Sequence, residues 1–454
     1  MPVYRCSVCH NVYDDAVEEV PFAELPDSWC CPVCGEPKSA YEQVPDSPAA
    51  GSECRGNDDL EVWMNDIHRI AETGCSIDEA MRTRLPVISW DEILIRGGQL
   101  ARLPLLHDEP VSTRTVIGPR AAKPMVLETP IIVSHMSFGA LSREAKIALA
   151  RGSAAVGAAM SSGEGGILEE SISAAHRYIF EYVPNRYSVT EENLRRADAI
   201  EIKFGQSAKP GMGGHLPGSK VTAEIAAVRG FPAGKDILSP AHFEDIRSPE
   251  ELRVKIAYLR ELSGGRPIGV KLAAGFIEED IDFALPAEPD FFTFDGRPGG
   301  TGSAPKFVKL ATSVPTIFAL SRARRHLDRR GARGISLIIT GGLRISPDFA
   351  KALAMGADAV AIATSALIAL GCRQHRICNT GRCPAGITSQ DPELRRNLVI
   401  DEAARRVANF LRVSTDELAE FARLTGHRDV HELSVGDLCT VNSEISGHTD
   451  IMHV

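Results

Sequence analysis

Seven of the eleven cysteines fall into two groups whose spacing suits metal chemistry. Cys6 with Cys9 and Cys31 with Cys34 form two Cys-x-x-Cys knuckles. Four thiolates on two tight turns can close a tetrahedron round one metal ion, and both iron and zinc accept that donor set. Further along, "GCRQHRICNTGRC" (371–383) gathers Cys372, Cys378 and Cys383, with five and four residues between them and no fourth cysteine. Iron–sulfur cubes are normally held by four cysteines, so three predict a cluster with one open corner, a [3Fe-4S] centre. Zinc on the three thiolates with His375 or a water is the alternative. Cys30, Cys54, Cys75 and Cys439 stand apart and are read as small core hydrophobes.

The other reactive side chains sit in loops rich in glycine. "IITGG" and "AIATS" place Gly341, Gly342, Ala363 and Thr364 where backbone N–H groups can cradle a phosphate, although two glycines also make a plain tight turn. Flavin mononucleotide (FMN) is a large ligand that fits such a site. "SHMSFG" offers small side chains and backbone amides to a flavin ring, and Gln206 an amide. Lys271 can put an ammonium beside the flavin N1 and O2, or act as an ordinary ion-pair partner. In "KFGQSAKPGMGGHLPGSKVTAEIAAVRG" the cations Lys209, His215, Lys220 and Arg229 stand among glycines, a pattern that suits a small dicarboxylate; a solvated basic loop is the plainer reading.

These loops need a scaffold. The chain has 454 residues, 44% hydrophobic and 24% charged, with 39 glycines, the composition of a globular α/β protein. Its formal net charge of −10 argues against a nucleic-acid surface. No apolar run is long enough to span a membrane and the start lacks a signal-peptide pattern, so a cytoplasmic location without membrane or nucleic-acid partners is expected. Clustered cysteines in that compartment are metal ligands before they are disulfides. Eight short apolar runs, each ending in a polar or glycine-rich loop, begin at Pro130, Gly157, Ala199, Pro267, Phe291, Pro315, Ile335 and Ala359. This is the pattern of a closed (β/α)8 TIM barrel, whose chemistry sits at the C-terminal ends of its strands. The expected order is a four-cysteine metal domain (1–45), a linker (46–57), an introductory helical segment (58–120), the barrel (121–395) carrying the iron–sulfur loop at 372–383, and a helical tail (396–454). A long connection, Ser207 to Arg266, is read as a substrate lid or wall.

"HMSFGALS", "SSGEGG", "GQSAKPGMGGHLPG", "GGTG" at 299–302 and "ALGCRQHRICNTGRCPAGITSQDP" together resemble the FMN-binding synthase domain of glutamate synthase, over roughly residues 120 to 392. The first 45 residues resemble a rubredoxin, including "LPDSWCCPVCG", with His10 in place of the customary glycine. The resemblance implies flavin contacts at Ser137, Gln206, Lys271, Gly299, Gly300, Thr301, Gly341, Gly342, Ala363 and Thr364. It implies 2-oxoglutarate contacts at Lys209 and Arg229, and ammonia handling at Glu164 and Glu250. His215 stands where glutamate synthases usually carry glutamine. Neither an N-terminal nucleophile glutaminase nor a glycine-rich β-helix domain is evident, as in the short archaeal-type enzymes. Ammonia is then expected from solution or a glutaminase subunit.

The activity this implies is reductive amination of 2-oxoglutarate to glutamate. Electrons come from a donor protein or an NAD(P)H-oxidising subunit through rubredoxin-like iron, with zinc as the alternative metal, and the [3Fe-4S] cluster to FMN, which gives a hydride to 2-iminoglutarate. N-methylglutamate formation, or amination of another keto acid, is a second reading. An electron-transfer subunit without catalysis of its own is a third. A homo-oligomer is expected.

Overall fold

The structure is a computed structural model that describes residues 2–18, 20–44 and 60–454, so the expected linker at 46–57 and Cys54 lie outside the described residues. At the N-terminus, strands Val3–Cys6, Val12–Asp14 and Tyr41–Gln43 form a three-stranded antiparallel sheet with Val3–Cys6 in the middle. Phe22 packs its ring against Tyr4, Tyr13, Trp29 and Tyr41. A unit this small buries little apolar surface, and a metal on its four cysteines would add the stability its core lacks.

The main body is a closed parallel barrel of β1 (Ile131–Val133), β2 (Ala159–Ser161), β3 (Arg177–Tyr182), β4 (Ala199–Lys203), β5 (Ile268–Ala273), β6 (Phe291–Asp295), β7 (Ser336–Thr340) and β8 (Ala359–Ile362). β8 returns to pair with β1, Val360 opposite Ile131. Near the N-terminal ends of the strands, Ile132, Ile179, Phe291 and Ile338 share an apolar cluster with Ile117, Met125 and Leu127 of the hairpin Thr115–Ile117/Met125–Leu127. Towards the C-terminal ends the buried side chains become polar: Glu181, Glu201, Lys203, Lys271, Thr293 and Asp295.

Seven of the eight expected strands are present; one is not a strand, and one barrel strand was not expected. "PTIFALS" is helix, Thr316–Arg329, with Pro315 at its N-cap. Buried Ile317, Leu320, Ala323 and Leu327 recur every three or four residues, which is a helical stripe. The unexpected strand is β3, "RYIFEY", whose Tyr178, Phe180 and Tyr182 face the surrounding helices while Ile179 enters the barrel cluster. Its charged Arg177 and Glu181 hide an alternation of period two. Lys271 therefore belongs to β5, and the long connection runs from β4 to β5.

Among the described residues ahead of the barrel, only Met64–Thr73 is α-helical; Ile93–Ile95 instead pairs with Leu438–Thr440 of the tail, whose main helix, Ile400–Leu424, lies along Arg143–Ala154. Cys439 is buried, but Cys30 and Cys75 are exposed and so are not core residues. No helix among the described residues is long and apolar enough to cross a membrane.

Candidate active site

A deep cleft opens where the barrel strands end. It is lined by Ser137, Gln206, Lys271, Gly299, Gly300, Thr301, Gly341, Gly342, Ala363 and Thr364, and by Glu164, Lys209, His215 and Arg229. Cys372, Cys378 and Cys383 reach the same cleft. Glu250 does not. It stands exposed in the first turn of helix Pro249–Leu262, bonded to Arg253 at 2.6 Å, where a carboxylate favours the positive end of the helix.

The floor is a buried ionic layer. Lys271 Nζ lies 2.7 Å from Glu181 Oε1. Lys203 binds Glu164 directly and donates to Gln206 Oε1 at 2.9 Å, and Gln206 Nε2 donates to Thr301 Oγ1 at 3.2 Å. His135 Nε2 lies 2.5 Å from Glu201 Oε2. Burial alone would raise the Glu181 and Glu164 carboxyls, but Lys203, joined by Lys271 at Glu181, outweighs it and holds both below the usual range. Both are carboxylates at neutral pH. Sequence reasoning missed Lys203, Glu181, His135 and Asp295, although charged residues at or just beyond the C-terminal ends of barrel strands are the signal that marks them.

The connection from β4 to β5 forms one wall. Its ribbon pairs His215–Leu216 with Ile237–Leu238, and its helix Ala223–Arg229 ends on Arg229. Among the described residues, Lys209, Lys220 and Arg229 are buried cations with no carboxylate within ion-pair distance. Lys209 Nζ donates to Gly213 O at 3.0 Å. Arg229 donates to Phe138 O at 2.7 Å, lies over the Tyr187 ring, and keeps its buried Nε without a partner. Burial lowers the pKa of both Lys209 and Arg229. Lys220, read as part of the same dicarboxylate group, instead donates to the Cys378 carbonyl at 2.6 Å. His215 Nε2 lies 2.9 Å from Asp236 Oδ2 at the rim.

On the opposite side, Gly341 and Gly342 take φ of +107° and +97°, and a Cβ on Gly341 would meet Gly296 O at 2.0 Å. Among the described residues, the backbone N–H groups of Gly341, Gly342, Ala363 and Thr364 donate to no protein acceptor. Arg344 also lines this side. Burial lowers it to about 10, with Arg82 adding repulsion and Asp348 only partly offsetting both. It was not singled out from sequence, where it is one more arginine after "TGGL".

The four N-terminal cysteines converge. Cys6 Sγ lies 3.6 Å from Cys34 Sγ and Cys9 Sγ 3.5 Å from Cys31 Sγ, with all four within 4.8 Å of one another. A tetrahedron with metal–sulfur bonds of about 2.3 Å has edges of about 3.8 Å, so the set fits one ion. The three loop sulfurs are not gathered within 4.8 Å of one another in this way. The two groups are neighbours, since Cys34 shares a cleft with Cys372 and His375, and Arg382 donates to Ser7 O, between Cys6 and Cys9, at 3.2 Å. His10 occupies the left-handed region at φ +62°, matching Gly35 at +77° in the second knuckle. His10→Gly is expected to stabilise the metal-loaded chain by about 0.5–1 kcal/mol, relief of the left-handed penalty less the extra entropy of glycine. A denaturant titration measures it.

Residues 95–428 match the family model described as the conserved region in glutamate synthase. The chain belongs to the glutamate synthase family. It is therefore an oxidoreductase of glutamate synthase type, and residues 3–41 match rubredoxin. Among glutamate synthase relatives, a large subunit-like protein of Rhizobium meliloti (strain 1021) is 37% identical over 411 residues, covering 86% of this chain and 93% of its own. The archaeal glutamate synthase [NADPH] of Methanocaldococcus jannaschii is 38% identical over 400 residues, covering 81% and 78%. A solved structure of a mutant flavocytochrome b2 with benzoylformate matches at a TM-score of 0.51 and 16% identity, over 79% of this chain and 78% of that one, a likeness of barrel fold.

Proposed function

We propose that this glutamate synthase family member forms glutamate from 2-oxoglutarate and ammonia, with FMN in the barrel mouth, a [3Fe-4S] cluster on Cys372, Cys378 and Cys383, and iron on Cys6, Cys9, Cys31 and Cys34. The observation that carries the reading is the pairing, in one cleft, of the buried cations Lys209 and Arg229, which have no carboxylate partner among the described residues, with a glycine cradle whose four N–H groups lack acceptors there. Each half asks for an anion. A dianionic phosphate suits the Gly341, Gly342, Ala363 and Thr364 amides with Arg344 beside them, and a dicarboxylate suits Lys209 and Arg229.

Bound and reduced, FMN supplies the hydride that turns 2-iminoglutarate into glutamate. The side chains do the rest. Lys209 and Arg229 hold the carboxylates, which fixes the imine carbon and exchanges buried unpaired charge for ion pairs. Lys271, neutralised by Glu181, faces the ring site, and Gln206 with Thr301 borders it. Glu164, ionised and bonded to Lys203 and to Ser239 at 2.5 Å, can hold an ammonium ion. His215, kept in place by Asp236, gates the rim.

The donor set fits the clusters. Burial, with Cys383 and Cys372 adding repulsion, pushes the Cys378 thiol up to about 11, so three thiolates coexist there only around bound cations. Among the described residues, the three sulfurs do not meet within 4.8 Å as a single zinc would require, and His375 lines the outer cleft. The four-cysteine site adjoins the three-cysteine loop, and that loop reaches the cleft, which supports entry of electrons in that order.

Gly341→Ala is expected to strip FMN from the purified protein and cost about 2 kcal/mol, because a Cβ there meets backbone in a left-handed conformation. Flavin absorbance and a thermal melt check it. The function itself is tested by steady-state turnover with a reduced artificial donor, 2-oxoglutarate, and ammonium, methylamine or glutamine in turn. Glutamate with ammonium is the expected product. N-methylglutamate as the main product would favour the second reading suggested by His215, and no turnover with any of the three would leave an electron-transfer subunit.

A further inference from the structure

We propose that Lys220 is the buried counter-ion of the group on Cys372, Cys378 and Cys383, and that its positive charge sets that group's reduction potential. This rests on the reading that the three cysteines hold an iron–sulfur cluster.

Lys220 ends the 3-10 turn Gly218–Lys220 in the wall of the cleft and is 8% exposed. No carboxylate among the described residues pairs with it. Its ammonium donates to the carbonyl of Cys378 at 2.6 Å, and its stem runs beneath the loop, where a Cβ added to Gly381 would stand 3.0 Å from Lys220 Cε. The loop is thus moulded over this one side chain. Removing an ammonium from water without an opposite charge is strongly unfavourable, and a neutral carbonyl offsets only part of that. The nearby groups able to carry negative charge are the loop sulfurs.

The other cations of the loop are tied elsewhere or open to solvent, although Arg376 also interacts with Cys378. Arg376 donates to Ala80 O at 3.4 Å and to Arg82 O at 2.5 Å, Arg382 turns to the N-terminal unit, and Arg373 is exposed, where solvent and salt screen it. Among the described cations around the loop, Lys220 is the buried one fixed directly on it, at the Cys378 carbonyl. One-electron reduction adds one negative charge to the cluster and needs no proton. A fixed cation beside it favours the reduced form, since net charge and hydrogen bonding around the sulfurs set such potentials. Lys220 acts through the cluster, so it is a positioning and tuning residue.

The test is a dithionite titration, followed by electron paramagnetic resonance, of full-length protein with Lys220→Gln and Lys220→Arg, with iron, acid-labile sulfide and FMN counted in each. Gln keeps a donor for the Cys378 carbonyl and removes the charge. The expected result is a tenfold or greater loss in the one-electron reduction equilibrium of Lys220→Gln, about 59 mV or more to the negative, with Lys220→Arg close to wild type. Failure of Lys220→Gln alone to retain the cluster would also support a need for charge. A cluster of unchanged potential in Lys220→Gln would overturn the proposal, as would equal loss of the cluster from both variants with FMN retained. So would a raised KM for 2-oxoglutarate without a shift in potential, which would make Lys220 a substrate contact. Wild-type protein without acid-labile sulfide would instead sink the cluster reading itself.

Discussion

Arg229→Ala is expected to raise the KM for 2-oxoglutarate roughly 10- to 100-fold while FMN, iron and sulfide contents stay at wild-type levels. Arg229 is buried, its Nε has no partner among the described residues, and another guanidinium nitrogen donates to the Phe138 carbonyl. A charge-assisted hydrogen bond to a carboxylate is worth about 1.5–3 kcal/mol, which converts to that range. Lys209→Ala should act in the same direction. The effect belongs in KM more than in kcat, because both groups hold carboxylates that do not change during the reaction. Isothermal titration of keto acid into the oxidised protein separates binding from turnover. Wild-type affinity in both variants would remove 2-oxoglutarate from this wall.

The second large effect is expected at the loop. Cys378→Ser replaces a soft thiolate by a poor iron ligand, so the cluster should be lost together with its sulfide. Donor-driven turnover should fall by more than about 100-fold, since even outer-shell partners of metal ligands are worth 10- to 100-fold. Flavin should remain, because the glycine cradle at 341–342 and 363–364 is separate from the loop. Photoreduced flavin in this variant should still form glutamate once. A variant that keeps full donor-driven turnover without sulfide would show that electrons bypass Cys372, Cys378 and Cys383.

Much of this was legible from short-range pattern. Two Cys-x-x-Cys knuckles are local turns, and the sulfurs of Cys6, Cys9, Cys31 and Cys34 meet as that spacing requires. Glycines that must sit at positive φ, as Gly341 and Gly342 do, mark a close backbone approach even in one dimension. Patterns with two meanings failed. "RYIFEY", its apolar run interrupted by the inward charge of Glu181, is not counted among the expected strands; "PTIFALS" reads as strand until the stripe through Leu327 is counted. Glu250 was assigned through resemblance alone, and its place in an exposed helical first turn gives it a local role that accounts for its charge. Contacts across long separations left no trace in the sequence. Lys220 under Cys378, Arg382 against Ser7 and Lys203 against Glu164 join residues that only the closed barrel brings together.

The most direct measurement is a single turnover. Protein reduced with a limiting amount of dithionite is mixed rapidly with 2-oxoglutarate and ammonium while the flavin band is followed, and the quenched products are counted. The expected result is reoxidation of the flavin only when both reactants are present, with one glutamate formed per flavin reoxidised. Flavin that stays reduced with both present, or that 2-oxoglutarate reoxidises equally well without ammonium, would contradict imine reduction at this site.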